Sequence, residues 1–335
     1  MSAIMKKTIE KLSKHGEGFL AADESTSTIQ KRFDVIHVDN TEPNRQAYRD
    51  LLFTTPDVNK YINGVILFEE TLKQKGLDGT PFVKKLESLG IIPGIKVDLG
   101  LIELALTDHE LATRGIDNLR ERLTDYKQCG ALFAKWRATF DITAIKPSWT
   151  AIASNAELLA RYAALCQEQD IVPIVEPEIL MDGDHTIERC EEVSRKVLHA
   201  VFNALRLHHV KLEYIVLKPG MVISGKDCTV QANQQTVAEK TVKVLKECVP
   251  ATVPTINFLS GGQSDRDATA HLNLMNKLGT LPWNLSYSYG RALQESCQKT
   301  WLGKKENVKA AQEAFIKRCK LNSLAALGQY DSNME

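Results

Sequence analysis

No charge of either sign is in surplus across the 335 residues: 42 Lys and Arg face 42 Asp and Glu, and the isoelectric point lies near 7.1. Such a chain has no overall field to hold nucleic acid or an anionic membrane, so any grip on phosphate has to be local. No window approaches the ~18 to 20 apolar residues that a membrane span needs. The opening MSAIMKKTIEKLSKHG breaks its apolar residues with Lys and Glu every few positions, unlike the apolar centre of a signal peptide. An N-terminal amphipathic helix on a soluble, cytoplasmic protein is expected. Seven cysteines, an odd number scattered without a C-x-x-C, give neither a disulfide framework nor zinc-ligand spacing. H-E-x-x-H and clustered histidines are missing as well, and DGDH at 182–185 reads as turn and cap residues. The sequence therefore points to no metal and no cofactor.

With 43% hydrophobic, 25% charged and 7% aromatic residues, the chain has ample material for a buried core. Eight short apolar, β-branched runs stand out: 18–24, 62–69, 92–98, 130–137, 171–178, 213–220, 254–262 and 284–291. Their starts lie roughly 30 to 45 residues apart, the length of a strand, loop and helix together, and that alternation marks parallel α/β architecture. Eight units over about 300 residues predict one (β/α)8 barrel, which typically takes ~250 residues. An open doubly wound sheet would want fewer strands, and no G-x-G-x-x-G or G-x-x-x-x-G-K-[ST] follows any run. The expected organisation is a single domain over 1–335, with strand-helix units at about 18–320 and a short C-terminal tail at about 321–335. Ser154 with Glu157, and Ser264 with Asp267, read as helix starts.

In such a barrel a polar residue at the C-terminal end of a strand faces the site, so the residues that end each run matter most. They are Asp23 and Glu24, Lys96 and Asp98, Lys135 and Arg137, Glu176 and Glu178, Lys218, Ser260-Gly261-Gly262, and Ser288-Tyr289-Gly290-Arg291. Seven strands delivering ionisable or phosphate-ready groups to one rim would be costly for stability alone, because clustered buried charges are outdone by hydrophobic replacements. Lys218, after the apolar YIVL, is the candidate nucleophile: an amine attacks a carbonyl only when unprotonated, and burial beside other cations such as Lys135 and Lys96 favours that form. Lys146 in TAIKPS is a competitor placed beyond the strand end. Glu176 and Glu178 flank Pro177 and share one face of an extended segment. One of them can be held by a cation while the other moves protons as the general acid/base that imine chemistry needs. Asp23 across the mouth is a candidate second base. The glycines after the last two strands suit an anion approaching backbone N–H groups. Ser25, Thr28, Lys31 and Arg32 offer hydroxyls and cations for a second phosphate.

Long ordered strings then carry a family likeness: AADEST at 21–26, GVILFEETL at 64–72, GIKVD at 94–98, FAKWR at 133–137, LKPGM at 217–221, FLSGGQS at 258–264, SYGRALQ at 288–294 and GKKEN at 303–307. From about residue 5 to 330 the chain resembles class I fructose-bisphosphate aldolase. The resemblance implies reversible, metal-independent cleavage of fructose 1,6-bisphosphate to dihydroxyacetone phosphate and glyceraldehyde 3-phosphate. It makes Lys218 the Schiff-base lysine, Glu176 the acid/base and Asp23 the base near the cleaved bond, with Lys135 and Glu178 beside them. It also puts Arg32, Ser260, Gly261, Gly262, Gly290 and Arg291 on substrate, next to Lys96 and Arg137. It further implies a homotetramer and, by family alone, cytoskeletal partners.

Departures are visible. Ser27-Thr28 and Leu99 differ from the animal enzymes, and GQYDSNME stands where animal and plant relatives have a longer tail ending in tyrosine. Which group exchanges the proton on the enamine carbon is thus open, with Tyr330 at the start of that tail as one substitute. A non-catalytic binding protein on the same scaffold would have no need of Asp23, Lys135, Glu176 and Lys218 together. A transaldolase-like Schiff-base enzyme would not need phosphate groups at both ends of the site.

Overall fold

Alternation along each apolar run sets which side chains enter the barrel and which meet the outer helices. The structure, a computed structural model describing residues 2–335, has ten strands: β1 Gly18–Ala22, β2 Ile62–Leu67, β3 Ile92–Lys96, β4 Leu101–Glu103, β5 Leu111–Thr113, β6 Phe133–Phe140, β7 Val172–Ile179, β8 Val216–Leu217, β9 Thr255–Phe258 and β10 Asn284–Tyr289. Eight close into a parallel barrel in the order β1-β10-β9-β8-β7-β6-β3-β2, the (β/α)8 architecture expected. The short antiparallel pair β4-β5 is an insertion that the sequence reading missed, because strands of three residues are too short to show a period.

The barrel interior is filled in layers. Phe19, Ala21, Ile66, Ile92, Phe133, Val172, Ile174 and Val216 form one apolar cluster together with Met5, Ile9 and Leu12 of the helix Ala3–Leu12. That helix is the amphipathic opening of the sequence, and its apolar stripe packs onto the barrel filling. Phe133 takes so much of the interior that a Cβ on Gly94 would lie 2.2 Å from its ring, so only glycine fits at that point of β3. A much larger cluster lies between the strands and the surrounding helices.

Two steps beyond this apolar layer, the same inward alternation delivers charges. Phe133 is followed by Lys135 and Arg137, Ile174 by Glu176 and Glu178, Val216 by Lys218, Ile92 and Gly94 by Lys96. β6 runs further than its predicted end, so Lys135 and Arg137 lie within a strand, with Arg137 paired in register to Glu176. β8 is shorter than predicted because Leu212–Tyr214 form a single 3₁₀ turn and Pro219 cannot donate to a ladder. Even so, the Lys218 N–H donates to the Val175 carbonyl at 2.8 Å, which ties its backbone beside Glu176.

Ser264 caps Asp265–Lys277 and accepts from the Asp267 N–H at 3.0 Å, as expected. Ser154 starts nothing: the helix begins at Trp149 under Ser148, because the buried stripe Ala151, Ile152, Asn155, Ala156, Leu159 extends upstream of it. The final helix, Val308–Ala326, carries helical structure past residue 321 into the segment read as tail.

Candidate active site

One cavity of about 600 Å³ opens at the C-terminal ends of the barrel strands. Of the seventeen residues expected to be catalytic or to bind substrate, sixteen line it: Asp23, Ser25, Thr28, Lys31, Arg32, Lys96, Lys135, Arg137, Glu176, Glu178, Lys218, Ser260, Gly261, Ser288, Gly290 and Arg291. Gly262 is the exception. It packs under the side chain of Met181, whose sulfur would lie 2.0 Å from a Cβ built there, so its glycine accommodates a neighbouring loop rather than facing the cavity.

At the floor, four charged groups alternate in a chain. Asp23 meets the Lys135 ammonium at 3.1 Å, Lys135 meets Glu176 Oε2 at 3.0 Å, and Glu176 Oε1 lies 3.3 Å from Lys218 Nζ. Lys218 and Glu176 are each only 3% exposed, so these contacts act with little water to weaken them. Burial alone would push the Asp23 carboxyl up, yet the charges of Lys135 and Lys218 outweigh it and hold the group below its ordinary value. Burial opposes the Lys135 charge too, and Asp23 with Glu176 overrides it, raising that ammonium above the usual lysine range. Glu178 forms a close ion pair with Arg137, whose guanidinium is likewise held above its ordinary value against the effect of burial. Both glutamates are therefore held by cations, Glu178 by Arg137 and Glu176 by Lys135, and of the two it is Glu176 that also reaches the Lys218 amine.

Around the mouth the charge turns positive. Eight cationic side chains line the cavity against five carboxylates, a surplus of three in a chain with no net charge. Arg291 stands at the start of the helix Arg291–Trp301 and donates to the Gly261 carbonyl at 2.9 Å, joining the loop after β9 to the loop after β10. Gly261 is in the left-handed region at φ 55°, which turns the Ser260-Gly261 backbone at the rim. A helix N-terminus, turned backbone and cations together suit a phosphate. Opposite, Ser25 caps the helix Thr26–Val35, its hydroxyl accepting from the Thr28 N–H, so the capping and the anion-ready readings of this loop coexist. Lys96 is paired with the buried Asp98 at 2.8 Å.

Other candidates separate from the site. Lys146 pairs with Asp108 at 3.0 Å on the loop beyond β6 and does not line the cavity. In DGDH, Asp182 and Asp184 are exposed while His185 is buried, so the three do not converge. Tyr330 is a correction to the sequence reading: it is buried, its N–H donates to Asn273 Oδ1 at 3.0 Å and its hydroxyl to Glu335 at 2.9 Å. Burial and Glu335 push that phenol up to about 12, and the ring lies outside the cavity. Three residues given no role from the sequence also matter: Glu24 stood only as a strand end, while Arg49, on the helix Glu42–Phe53, and Gln294, on the helix Arg291–Trp301, are far from it along the chain and give no local signal.

The family model for class I fructose-bisphosphate aldolase, described as glycolytic, matches residues 4–335. The chain is 57% identical over 316 residues to the cytosolic fructose-bisphosphate aldolase 6 of Arabidopsis thaliana, covering 94% of this chain and 88% of that one. It is 54% identical over 327 residues to a probable class 1 fructose-bisphosphate aldolase of Xanthomonas campestris, covering 97% and 98%. The crystal structure of fructose-bisphosphate aldolase from Plasmodium falciparum, in complex with TRAP and a small-molecule inhibitor, superposes with a TM-score of 0.97 at 51% identity over 98% of this chain and 95% of that one.

Proposed function

The chain belongs to the class I fructose-bisphosphate aldolase family and acts as a carbon-carbon lyase on a sugar bisphosphate; from that premise we propose how its own residues divide the work. Lys218 attacks the ketone of fructose 1,6-bisphosphate. On the way from ammonium to iminium the Lys218 nitrogen sheds two protons, and Glu176, at 3.3 Å from it, relays them to the former carbonyl oxygen: the first makes the carbinolamine hydroxyl and the second lets it leave as water. The resulting iminium draws electrons from the adjacent carbon-carbon bond, so cleavage leaves an enamine on Lys218 rather than a bare carbanion. Asp23, kept ionised by Lys135, accepts the hydroxyl proton that is lost as the aldehyde departs.

Lys135 serves both carboxylates. Placed between Asp23 and Glu176, it keeps the first a base and offsets the second's charge next to the reacting nitrogen. Arg137, fixed by Glu178, and Lys96, fixed by Asp98, present cations to the substrate without moving to do so. One phosphate is assigned to Ser260, Gly261, Gly290 and Arg291, the other to Arg32 with Ser25, Thr28 and Lys31. Gly262 supports the first of these loops. The observation that carries the reading is the buried alternation Asp23, Lys135, Glu176, Lys218 beneath a rim with three surplus positive charges. Replacing Lys218 with Met is expected to abolish turnover while circular dichroism and thermal unfolding stay near native; near-normal rates in that folded variant would overturn the assignment.

The same reading places the chain in the cytoplasm as a single-domain homotetramer. Its relatives bear cytosolic names, and no helix among the described residues is long and apolar enough to cross a membrane. Sedimentation at micromolar concentration tests the assembly, and a monomer throughout would refute it. Cytoskeletal partners rest on family likeness alone, and co-sedimentation with filaments checks them.

A further inference from the structure

Glu24 is the one strand-end carboxylate of the cavity that the reaction above leaves without a task. It is buried, and it is shared. Its Oε1 accepts from Arg32 and from Gln294 Nε2 at 3.0 Å, and its Oε2 accepts from Arg49 Nη2 at 2.6 Å. Arg32 lines the cavity, and its Nη2 lies 3.4 Å from where a Cβ would sit on Gly290, at the edge of the anion cradle. Arg49 does not line it. Arg49 rises from the helix Glu42–Phe53, is 3% exposed, lies 5.7 Å over the Tyr48 ring, and has an Nη1 with no hydrogen-bond partner. Tyr48 in turn donates to Gln294 at 2.9 Å. Two guanidinium groups therefore share one carboxylate, and the outer one is held by the anion that a phosphate would have to displace.

We propose that Arg49 is a positioning residue that keeps Glu24 neutralised, so that Arg32 can pass from Glu24 to a substrate phosphate. Removing the sole partner of a buried charge leaves that charge uncompensated, which opposes any exchange of the partner. With Arg49 and Gln294 in place, Glu24 keeps a cation and a donor after Arg32 departs. This also gives a reason for burying a guanidinium whose hydrogen-bonding capacity is only partly used, an arrangement that otherwise destabilises. The inference rests on Arg32 being a phosphate ligand, as assigned above.

The test is inhibition by inorganic phosphate, with KM for fructose 1,6-bisphosphate alongside, on the full chain. Arg49→Met is expected to raise both tenfold or more with kcat within twofold, because Arg32 is then the only cation on Glu24. Glu24→Gln, close in shape and without the competing charge, is expected to lower the phosphate inhibition constant at least threefold. The double variant is expected to bind phosphate at least as well as the native chain. If Glu24→Gln weakens phosphate binding instead, Glu24 orients Arg32 and the inference is overturned; this sign decides the matter even if Arg49→Met does not fold. Arg32→Gln is the control. If it leaves phosphate inhibition unchanged, the assignment of Arg32 is at fault; if it weakens inhibition while the other variants miss their expected signs, the fault lies with the inference.

Discussion

Lys135→Met removes the ammonium that Asp23 and Glu176 share, and its cost follows from the geometry. At 3.1 and 3.0 Å, and an effective dielectric of ~20, each contact is worth about 5 kcal/mol of gross attraction. The burial penalty of the ammonium itself is relieved at the same time, so the net loss expected is about 3–5 kcal/mol, the range for removing one partner from a buried pair. The loss depends on pH in a definite direction. Without Lys135, burial dominates at Asp23 and lifts its folded value above the unfolded one, so the penalty is present at high pH and fades as pH falls and the carboxyl takes a proton. Chemical denaturation at fixed protein concentration, at pH 8 and pH 5, reads both effects. Adding Asp23→Asn to Lys135→Met should return most of the stability and none of the activity. A loss under ~1 kcal/mol, or one equal at both pH values, would refute the shared-charge account.

Two further variants probe the surroundings. Burial lowers His271 from the usual 6.5 to about 4, so this side chain stays neutral in the fold where the unfolded chain takes up a proton. Stability is then full above pH 6.5 and lost as pH falls toward 4, by about 2 kcal/mol between pH 8 and pH 5, and His271→Gln should flatten that drop by the same amount. An unchanged pH profile in denaturation would contradict the buried neutral ring. Gly262→Ala would bring a Cβ to 2.0 Å from the Met181 sulfur and disturb the Ser260-Gly261 loop. Because the half-buried Met181 side chain can give way, the expected rise in KM is only about two- to fivefold, and Met181→Ala in the same chain should reverse it. Failure of that rescue in steady-state assays would show that the loop, not the contact, is at issue.

Much of the barrel was legible because period-two alternation and regular strand spacing are local signals. The charges of the cavity were legible for the same reason, since Lys135, Arg137, Glu176 and Glu178 stand two residues apart on strands whose earlier members are apolar. What stayed hidden depends on contacts between residues far apart along the chain. Nothing near Arg49 in the sequence points to Glu24, 25 residues away, and nothing near Gly262 points to Met181. The β4-β5 pair was too short for periodicity, and Ser154 looked like a cap because only two buried residues of the helix, Ala151 and Ile152, precede it. Tyr330 was misplaced by analogy of position: Glu335, five residues on, takes its hydroxyl, and Asn273, which takes its N–H, lies 57 residues away along the chain.

Lys218 is the residue expected to form the imine. Borohydride reduction in the presence of fructose 1,6-bisphosphate and EDTA, followed by peptide mass mapping, tests it directly. A single reduced adduct on Lys218, absent from Lys218→Met, is the predicted result. An adduct on Lys135 or Lys146, or none in active protein, would contradict the account.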